Sequence, residues 1–319
     1  MTRILIVRTS SLGDIIQSLP AISDIYLNVP NARIDWLIEK KFHKIPILHF
    51  GINKVIKISQ RKWRKKKLNK NFRLEINSFY KKVFFESYNI IIDFQSLVKS
   101  TLISKNIKGN RHGLSWKSSV ESVSSIFLDK NYFIEFWKPA IFRQRLLIGK
   151  ILGYEIKNKL TFGLNLNQRI SNINENYVSI MPSASGNRKF WSNNNWKKII
   201  SFLNNVNLRI KIFSGNNIEI YRAKKIIKNQ INSELLPVMS INKVLKVLIN
   251  SKIMIGLDSG LTHLSASLGI STICLYNCSS PVRNPVIGNG INFNLGDFGN
   301  FSSINQILNA IKYILTNSY

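Results

Sequence analysis

Short apolar runs alternate with amphipathic stretches along most of the chain, and this alternation predicts its architecture. The apolar runs have the length and composition of strands buried in a parallel sheet. The stretches between them repeat apolar residues every three or four positions, as helices do. Such alternation is typical of parallel β-α-β units. The predicted strands are Arg3–Val7, Ile34–Ile38, Val55–Ile58, Asn89–Asp93, Tyr177–Met181, Arg209–Phe213, Leu235–Val238, Ile253–Leu257 and Thr272–Tyr276, the last of these closing the series.

Helices are predicted between these strands and after them. Pro20 falls inside the first helix, where it is expected to kink the helix or to begin a new segment. The segment from about Arg111 to Gly153 also has helix-like apolar spacing. The remaining predicted helices are Phe72–Tyr88, two that begin near Asn195 and Ile218, one that Ser240 caps and that runs to about Asn250, and Ile304–Leu315.

A polar, asparagine-rich stretch at 165–176 interrupts the alternation. Domain boundaries fall in such polar segments, so this stretch is the best candidate for a linker. The sequence therefore predicts an α/β protein of two parallel-sheet domains, residues 1–168 and residues 169–319.

The segment 253–269 carries the clearest candidate for a binding site. A buried strand, Ile253–Leu257, is followed by the turn Asp258-Ser-Gly260 and by a helix that Gly269 closes. The free N–H groups and the positive dipole end of such a helix suit a phosphate. His263, in the first turn, adds a donor. An ordinary strand and helix, capped by Asp258 or Ser259, explains the same pattern equally well.

Asp14 stands on the loop after the first strand, at the start of a helix. Open α/β sheets bind their ligands at this position. Its carboxylate is therefore a candidate general base. From position alone, a simple helix cap is the favoured interpretation of the same residue.

A serine- and glycine-rich turn follows the first strand of the second half. Ser183-Ala-Ser-Gly186 leads into Arg188 and Lys189, which makes a plausible clamp for a diphosphate. The chain contains neither a Gly-x-Gly-x-x-Gly fingerprint nor a Walker-type Gly-Lys-Ser/Thr. A Rossmann dehydrogenase and a P-loop enzyme are therefore poorly supported.

The formal net charge is +30 over 319 residues. Lysines are spread through nearly every segment, and compositional drift explains this diffuse excess. The run Arg61–Lys67 is different, because six of its seven residues are basic and the seventh is Trp63. Such a cluster suits the phosphates of nucleic acid, lipid head groups or an acidic sugar, although a solvated loop is the alternative.

The remaining chemistry-bearing residues exclude several classes of protein. Cys274 and Cys278 form no disulfide framework, and the four histidines have no zinc-site spacing. The N-terminal apolar run is too short for a signal-peptide core, and no run reaches the 18 or more residues that span a bilayer. We therefore expect a cytoplasmic protein, or one attached peripherally to a membrane.

Taken together, these stretches resemble the ADP-heptose:lipopolysaccharide heptosyltransferase family, and its heptosyltransferase I members in particular. Each motif alone is of modest specificity, whereas their joint order is specific, and the resemblance extends over almost the whole chain. The motifs are Thr9–Asp14, Arg61–Lys65, Asp93–Lys99, His112–Gly113, Lys189–Trp191, Leu236–Ser240 and Asp258–Leu264.

The resemblance implies a GT-B fold, in which two Rossmann-like domains face a central cleft. The N-terminal domain would bind the acceptor and the C-terminal domain the ADP-sugar. The final helix, about 303–319, would pack back on the N-terminal domain. The implied reaction is an inverting, metal-independent and cofactor-free transfer of L-glycero-D-manno-heptose. The donor would be ADP-heptose, and the acceptor would be Kdo of Kdo-lipid A in the lipopolysaccharide inner core.

The resemblance also implies roles for individual residues. Asp14 would be the catalytic base that deprotonates the acceptor hydroxyl. Glu219 would bind the ribose of the donor, and Met239 would line its adenine pocket. The other implied donor-binding residues are Ser183, Lys189, Asp258, Ser259, Gly260 and His263. The implied acceptor-binding residues are Ser11, Gly13, Arg61, Arg64, Lys65 and Arg143.

Two motifs depart from the family pattern. The family often has a Thr-Thr pair where this chain has Ser183-Ala184, and Tyr-Gly-Pro-Thr where it has Tyr276-Asn-Cys-Ser.

The alternative functions are a heptosyltransferase II or another ADP-sugar transferase. A basic nucleic-acid-binding protein is disfavoured, because no recognition motif interleaves aromatic with basic residues. A location on the cytoplasmic face of the inner membrane is expected, because the acceptor is lipid-linked.

Overall fold

The computed structural model describes residues 1–65, 70–84, 86–157, 159–165, 176–184 and 190–317, except for the side chains of residues 61, 64–65, 70–73, 82 and 84. The chain divides into two compact units, Met1–Asn165 and Leu166–Tyr319. The domain boundary predicted between residues 168 and 169 falls outside the described residues. Each unit is built on a parallel sheet, which confirms the predicted α/β class with two Rossmann-like domains.

The first unit has a six-stranded parallel sheet with the strand order β3-β2-β1-β4-β5-β6. Its strands are β1 (Arg3–Val7), β2 (Arg33–Glu39), β3 (Ile52–Ile58), β4 (Ser87–Asp93), β5 (Lys108–Leu114) and β6 (Lys130–Tyr132). Its α-helices are α1 (Leu12–Asn28), α2 (Gln60–Lys65), α3 (Lys70–Phe84), α4 (Val98–Lys105) and α5 (Ala140–Leu152). Short 3₁₀ helices occupy Lys40–Phe42, Pro46–Leu48 and Ser122–Phe127.

The second unit repeats this plan with the strand order β12-β11-β10-β7-β8-β9. Its strands are β7 (Tyr177–Met181), β8 (Arg209–Ile212), β9 (Ser233–Leu235), β10 (Ile253–Leu257), β11 (Ser271–Leu275) and β12 (Asn292–Leu295). Its helices are α6 (Asn193–Asn205), α7 (Asn217–Ile227), α8 (Ile241–Ile249), α9 (Gly260–Ser267) and α10 (Ile304–Asn317).

The strand orders place a topological switch point in each sheet. In the first sheet the chain leaves β1 in one direction, toward β2 and β3, and continues through β4 in the other. In the second sheet β7 and β10 stand in the same relation. Ligands of open α/β sheets bind outside the carboxyl ends of the strands at such points. The loops after β1, β4, β7 and β10 are therefore the expected places for function.

Three strands were missed in the sequence because their residues are polar. In β5, Arg111 pairs with Asp129 and His112 stacks on Tyr132. In β12, the Asn294 side chain exchanges hydrogen bonds with both the N–H and the C=O of Val286. Neighbouring loops satisfy these polar groups, so the strands need no apolar run. The helix-like interpretation of 111–153 is consequently wrong before α5, and Thr272–Tyr276 is not the last strand.

Helix α1 continues through Pro20 without starting a new segment. The proline ring removes one backbone donor and crowds the preceding turn, which disfavours a helix interior. Burial outweighs that cost here, because four apolar side chains of the helix are at most 1% exposed: Ile15, Ile16, Leu19 and Ile22. The buried face of α1 therefore fixes the helix that carries Asp14 in its first turn.

Helix α10 buries one stripe in the core of the second unit. Ile307, Ala310, Ile311 and Ile314 follow the i, i+3, i+4, i+7 spacing of a single helix face, and all belong to that core. Trp191 and Trp196 pack edge to face in the same cluster, with 5.1 Å between ring centroids. The expected packing of this last helix on the N-terminal domain stays a prediction.

A buried ion pair joins α1 to α5. The Arg145 Nε atom lies 2.6 Å from Asp24 Oδ2, and its Nη2 atom lies 3.0 Å from Oδ1. The two side chains are only 4% and 3% exposed. This geometry is the bidentate fork that guanidinium and carboxylate groups favour. The pair therefore fixes how α5 packs on the helix that carries Asp14.

His49 is held neutral in the interior of the first unit. The Gly51 N–H donates to its Nδ1 atom over 3.0 Å, so the ring proton resides on Nε2, which lies 3.0 Å from Ser23 Oγ. Burial lowers the pKa of His49 to about 4. In the unfolded chain a histidine titrates near 6.5. Between about pH 4 and pH 6.5, His49 is therefore mostly neutral in the folded protein and mostly protonated in the unfolded chain.

This difference predicts acid lability with a defined window. The contribution of His49 to stability is complete above about pH 6.5 and is lost as the pH falls toward 4, because only the unfolded chain gains the proton there. The loss is on the order of 3 kcal/mol. Urea unfolding between pH 7 and pH 4 should be less pH-dependent in His49→Gln by this amount. Equal pH dependence in both proteins would show that His49 is not the group responsible.

No described helix has both the length and the apolar character required to cross a bilayer.

Candidate active site

Asp14 lies at the switch point of the first sheet, in the third position of α1. Its Oδ2 atom accepts hydrogen bonds from Ser11 N over 2.8 Å and from Ser11 Oγ over 2.7 Å. Its Oδ1 atom lies 2.7 Å from Arg8 Nη2. The side chain is still 38% exposed. Asp14 thus caps its helix, as the simpler interpretation held, while it also presents an oriented carboxylate to solvent.

Arg8 is the partner that sequence reasoning missed. It is the first residue after β1 and is 8% exposed. Its Nη1 atom donates to the carbonyl oxygen of Phe94, which follows β4. Its own carbonyl accepts from Trp36 Nε1 over 3.0 Å. The guanidinium group therefore bridges the loops after β1 and β4 and fixes the Asp14 carboxylate. A basic residue directly after a buried strand was the available signal.

A second buried carboxylate organises the loop after β4. Asp93 accepts from Ser100 Oγ over 2.8 Å and from the backbone N–H groups of Gln95 and Ser96. Burial raises the pKa of Asp93 to about 6, although these hydrogen bonds oppose the shift. Gln95 Oε1 in turn accepts from Thr9 N over 2.8 Å and from Thr9 Oγ1 over 2.7 Å. Asp93 therefore supports the loop that holds Thr9 beside the candidate base.

The predicted acceptor-binding residues differ in their accessibility. Ser11 is exposed and Gly13 is buried at the start of α1. Arg143 is 7% exposed, donates to the Ser118 carbonyl through Nη2, and lies 5.2 Å from the centroid of the Phe136 ring. Its contacts are those of a residue that holds a loop on α5. The predicted side chains of Arg61, Arg64 and Lys65 lie outside the described part of the structure, although their backbone belongs to α2.

Asp258 and His263 form a pair at the switch point of the second sheet. The His263 Nε2 atom lies 3.1 Å from Asp258 Oδ1, and Ser279 Oγ donates to Asp258 Oδ2 over 2.5 Å. The side chain of His263 is 6% exposed and that of Asp258 is 12% exposed. Asp258 therefore orients the imidazole and the loop after β11. The sequence did not indicate Ser279.

Ser259 occupies the N-cap position of α9, but its side chain makes no capping hydrogen bond. Its Oγ atom lies 2.9 Å from Thr262 Oγ1, and Thr262 donates to the Leu257 carbonyl over 2.7 Å. A Cβ atom on Gly256 would meet Thr262 Oγ1 at 2.7 Å, so the strand end needs this glycine. The turn Asp258-Ser-Gly260 therefore directs the positive end of α9 toward the carboxyl edge of the sheet.

Ser183 lies beyond the end of the strand that neighbours this turn. It follows β7, which pairs with β10 in the sheet. The residue is 2% exposed, and its Oγ atom has no hydrogen-bond partner within the part of the chain that the structure describes. Buried hydroxyl groups in proteins normally have a partner. A ligand oxygen would supply one. The predicted Lys189 lies outside the described residues.

The two predicted nucleoside contacts, Glu219 and Met239, follow the neighbouring strands β8 and β9. Glu219 is in the first turn of α7, where Gly215 N donates to Oε2 over 2.7 Å and Asn216 Nδ2 to Oε1 over 2.8 Å. Met239 is half-buried between β9 and α8. All the described donor-side residues thus lie at the carboxyl ends of β7 to β10. Their individual roles stay predictions.

A family model and curated relatives match this chain closely. The model for glycosyltransferase family 9 (heptosyltransferase) matches residues 76–306, which is more than half of the chain. The chain belongs to glycosyltransferase family 9. The lipopolysaccharide heptosyltransferase 1 of Salmonella typhimurium is 32% identical over 286 residues, which cover 88% of this chain and 89% of the relative. The Escherichia coli K12 protein of the same name is 31% identical over 88% of this chain and 89% of its own length.

Solved structures of family members agree with this assignment. The E. coli heptosyltransferase WaaC with ADP superposes with a TM-score of 0.89 and 29% sequence identity, covering 98% of this chain and 100% of that one. The same protein with ADP-2-deoxy-2-fluoro heptose gives a TM-score of 0.86 over the full length of both chains. The family and the GT-B fold class predicted from the sequence are therefore confirmed, as is the prediction of a glycosyltransferase.

Metal binding was not expected for this glycosyltransferase. Within the described ranges, no three His, Cys, Asp or Glu side chains are grouped closely enough to hold a metal ion. The metal-independent and cofactor-free character of the transfer stays a prediction.

Proposed function

We propose that this glycosyltransferase moves L-glycero-D-manno-heptose from ADP-heptose to Kdo of Kdo-lipid A in the synthesis of the lipopolysaccharide inner core. The observation that carries the proposal is a joint one. The chain is 32% identical to a lipopolysaccharide heptosyltransferase 1 over 88% of its length, and it presents an oriented carboxylate at the first switch point.

The first unit supplies the acceptor chemistry in this proposal. Asp14 removes the proton from the acceptor hydroxyl while the oxygen of that hydroxyl forms a bond to the anomeric carbon of the donor. The bond between that carbon and the diphosphate oxygen breaks, and its electron pair leaves with ADP. Arg8 and Ser11 hold the carboxylate in place, with contacts of 2.7 Å each to its two oxygens. Attack from the face opposite the leaving group inverts the anomeric centre.

The second unit supplies the donor chemistry. The backbone at Ser259 and Gly260 and the dipole of α9 face negative charge, which grows on the diphosphate as it departs. His263, oriented by Asp258, adds a donor at the same place. The buried Ser183 hydroxyl and the side chain of Lys189 complete the proposed diphosphate site. Glu219 binds the ribose and Met239 lines the adenine pocket.

Lys189→Ala should weaken ADP binding by about tenfold to 150-fold, because it removes one charge-assisted contact worth about 1.5–3 kcal/mol. Isothermal titration with ADP measures the change. Lys198→Ala, on the exposed face of α6, is the matched control and should bind as the unchanged protein does. Equal ADP affinity in the two variants would remove Lys189 from the diphosphate site.

Neutralising Arg61, Arg64 and Lys65 together should raise the acceptor KM by more than tenfold and leave the donor KM within about twofold. The reason is that the basic cluster faces the Kdo carboxylates and lipid A phosphates, whereas ADP binds the other unit. Neutralising Lys224, Lys225 and Lys228, all exposed on or just after α7, removes the same charge elsewhere. An equal rise of both KM values, or an equal effect of the control, would make the cluster structural.

We place the enzyme on the cytoplasmic face of the inner membrane as a peripheral protein. Two features support this location: the lipid-linked acceptor, and the basic cluster Arg61–Lys67, which suits an anionic surface.

Acceptor choice tests the proposal against its nearest alternative. Purified enzyme is offered ADP-heptose with either Kdo-lipid A or the same acceptor already carrying one heptose. Transfer to Kdo-lipid A alone supports the proposal. Transfer only to the heptosylated acceptor would make the enzyme a heptosyltransferase II.

A further inference from the structure

Residues 116–137 of the first unit expose a concentration of large apolar side chains. Six of them, defined here as the apolar surface, are Trp116, Val120, Val123, Ile126, Phe133 and Trp137. Ile126 is 68% exposed, and Val120 and Trp137 are each 62% exposed. Single exposed apolar residues need no explanation, whereas a contiguous group usually marks a binding surface.

The segments that carry the apolar surface are joined to one another in the fold. Trp116 and Phe133 line one cavity of about 480 Å³, together with Ser125 from the 3₁₀ helix Ser122–Phe127. The backbone joins the same segments, because Ser115 N donates to the Tyr132 carbonyl over 2.9 Å and Ile134 N to Ser118 Oγ over 2.9 Å. The 3₁₀ helix carries Val123 and Ile126, and Trp137 lies four residues beyond Phe133.

The charges around the apolar surface favour an anionic partner. Two of the three acidic residues in this segment are paired with cations: Asp129 with Arg111 at 3.1 Å, and Glu135 with Lys138 at 2.8 Å. The third, Glu121, accepts from the Val98 N–H over 2.8 Å. Lys117 and Lys130 are exposed, and the described residues offer neither an ion pair. Lys117 also lines the cavity between Trp116 and Phe133. The surface therefore combines tryptophan and phenylalanine with unpaired ammonium groups.

This combination is that of a protein segment at a membrane surface. Tryptophan prefers the boundary between head groups and acyl chains, because its ring is apolar and its N–H is polar. Lysines beside it are attracted to anionic lipid head groups. An anionic bilayer explains why both lysines are unpaired beside the aromatic rings, whereas a protein partner would not require this arrangement.

The position of the apolar surface in the fold agrees with such a role. Trp116 and Phe133 follow β5 and β6 at the carboxyl edge of the first sheet, the edge at which Asp14 lies. The Glu121 N–H donates to the Ser96 carbonyl over 3.2 Å, and Glu121 Oε2 accepts from Val98 N over 2.8 Å. These contacts tie the segment to the loop after β4. A bilayer seated on the apolar surface would thus lie beside the acceptor half-site.

We propose that the apolar surface, with Lys117 and Lys130, seats the enzyme on an anionic phospholipid bilayer by inserting Trp116 and Trp137 among the head groups. The inference rests on the peripheral location included in the proposed function, and it names the residues that make the contact. It does not depend on the identity of the acceptor sugar.

Intrinsic fluorescence tests the proposal directly, because Trp116 and Trp137 are the exposed members of the six tryptophans. The others, Trp36, Trp63, Trp191 and Trp196, are at most 8% exposed. Vesicles of phosphatidylglycerol and phosphatidylethanolamine with brominated acyl chains should quench the exposed pair. The double variant Trp116→Ala, Trp137→Ala should lose this quenching and partition at least tenfold more weakly in a vesicle sedimentation assay. Ile231→Ala, exposed to 76% on the second unit, should partition normally.

Changing Lys117 and Lys130 to Gln should weaken partition onto anionic vesicles about fivefold per lysine, the equivalent of about 1 kcal/mol for each basic residue at such a surface. Partition onto phosphatidylcholine should not change. Turnover on Kdo linked to the lipid A sugars without acyl chains should be unchanged in every variant, which shows that each one folds and separates this proposal from the transferase activity. Normal partition of the tryptophan double variant would overturn the proposal. The proposal would also be overturned if the tryptophan substitutions abolished a concentration-dependent dimer of the enzyme and left vesicle binding unchanged.

Discussion

Asp14→Asn is expected to reduce turnover by roughly a hundredfold to ten-thousandfold, the range over which a positioned base contributes to catalysis. The amide retains the shape of the carboxylate, and its oxygen can still accept from Ser11, which lies 2.7 Å away in the unchanged enzyme. It cannot take the acceptor proton. Because the base acts in the transition state, ADP-heptose affinity should stay the same. Single-turnover kinetics with calorimetry of donor binding measures both quantities.

Two controls separate chemistry from charge in this experiment. Glu155→Gln removes one carboxylate from the same unit at a side chain that is 82% exposed, and it should leave turnover unchanged. Asp14→Glu keeps the charge but moves it by one methylene, so it should retain part of the activity. If Asp14→Asn turned over normally, Asp14 would be a helix cap alone, and the base would have to be sought elsewhere.

Asp24→Ala is expected to destabilise the first unit by about 3–5 kcal/mol, because it leaves the Arg145 guanidinium charged and uncompensated in the interior. The pair is bidentate, with contacts of 2.6 and 3.0 Å, and it joins α5 to the helix that carries Asp14 in its first turn. Chemical denaturation measures the loss. The two units can unfold in separate transitions, so the transition of the first unit is the one to follow.

A double replacement tests the physical reason for this loss. Asp24→Leu with Arg145→Met removes both charges and fills much the same space, so it should recover most of the stability. Glu155→Ala, which breaks the exposed contact with Lys157 at 3.4 Å, should cost less than about 1 kcal/mol. A loss below about 1 kcal/mol in Asp24→Ala would mean that the buried pair is not what holds α5 on α1.

The fold was largely predictable because its central strands are apolar. Strands β1 and β10 are almost wholly buried and appear in the sequence as short apolar runs, β7 is interrupted only by Ser179, and β4 ends in the apolar run Ile90–Ile92. Strands nearer the sheet edges contain residues such as Arg111 and Asn294, which hydrogen-bond to Asp129 and Tyr276, neighbours distant in sequence. No local pattern contains that information.

The candidate site was predictable only in part, for a related reason. Asp14 and Asp258 each follow a recognisable strand, so their place at a sheet edge could be deduced. The side chains that orient them come from elsewhere: Arg8 from the end of β1, and Ser279 from the loop after β11. Pairings of this kind depend on which loops the sheet topology brings together. Arg8 lies only six residues before Asp14 and was overlooked, whereas no spacing along the chain encodes the approach of Ser279 to Asp258.

The most direct test of the central claim is a transfer assay with ADP-heptose and Kdo-lipid A that follows both ADP release and product mass. We expect stoichiometric ADP and a product heavier by one heptose, with both lost in Asp14→Asn. Tight binding of ADP-heptose without transfer to this acceptor would contradict the proposed reaction. Transfer that persists in Asp14→Asn would contradict the proposed base.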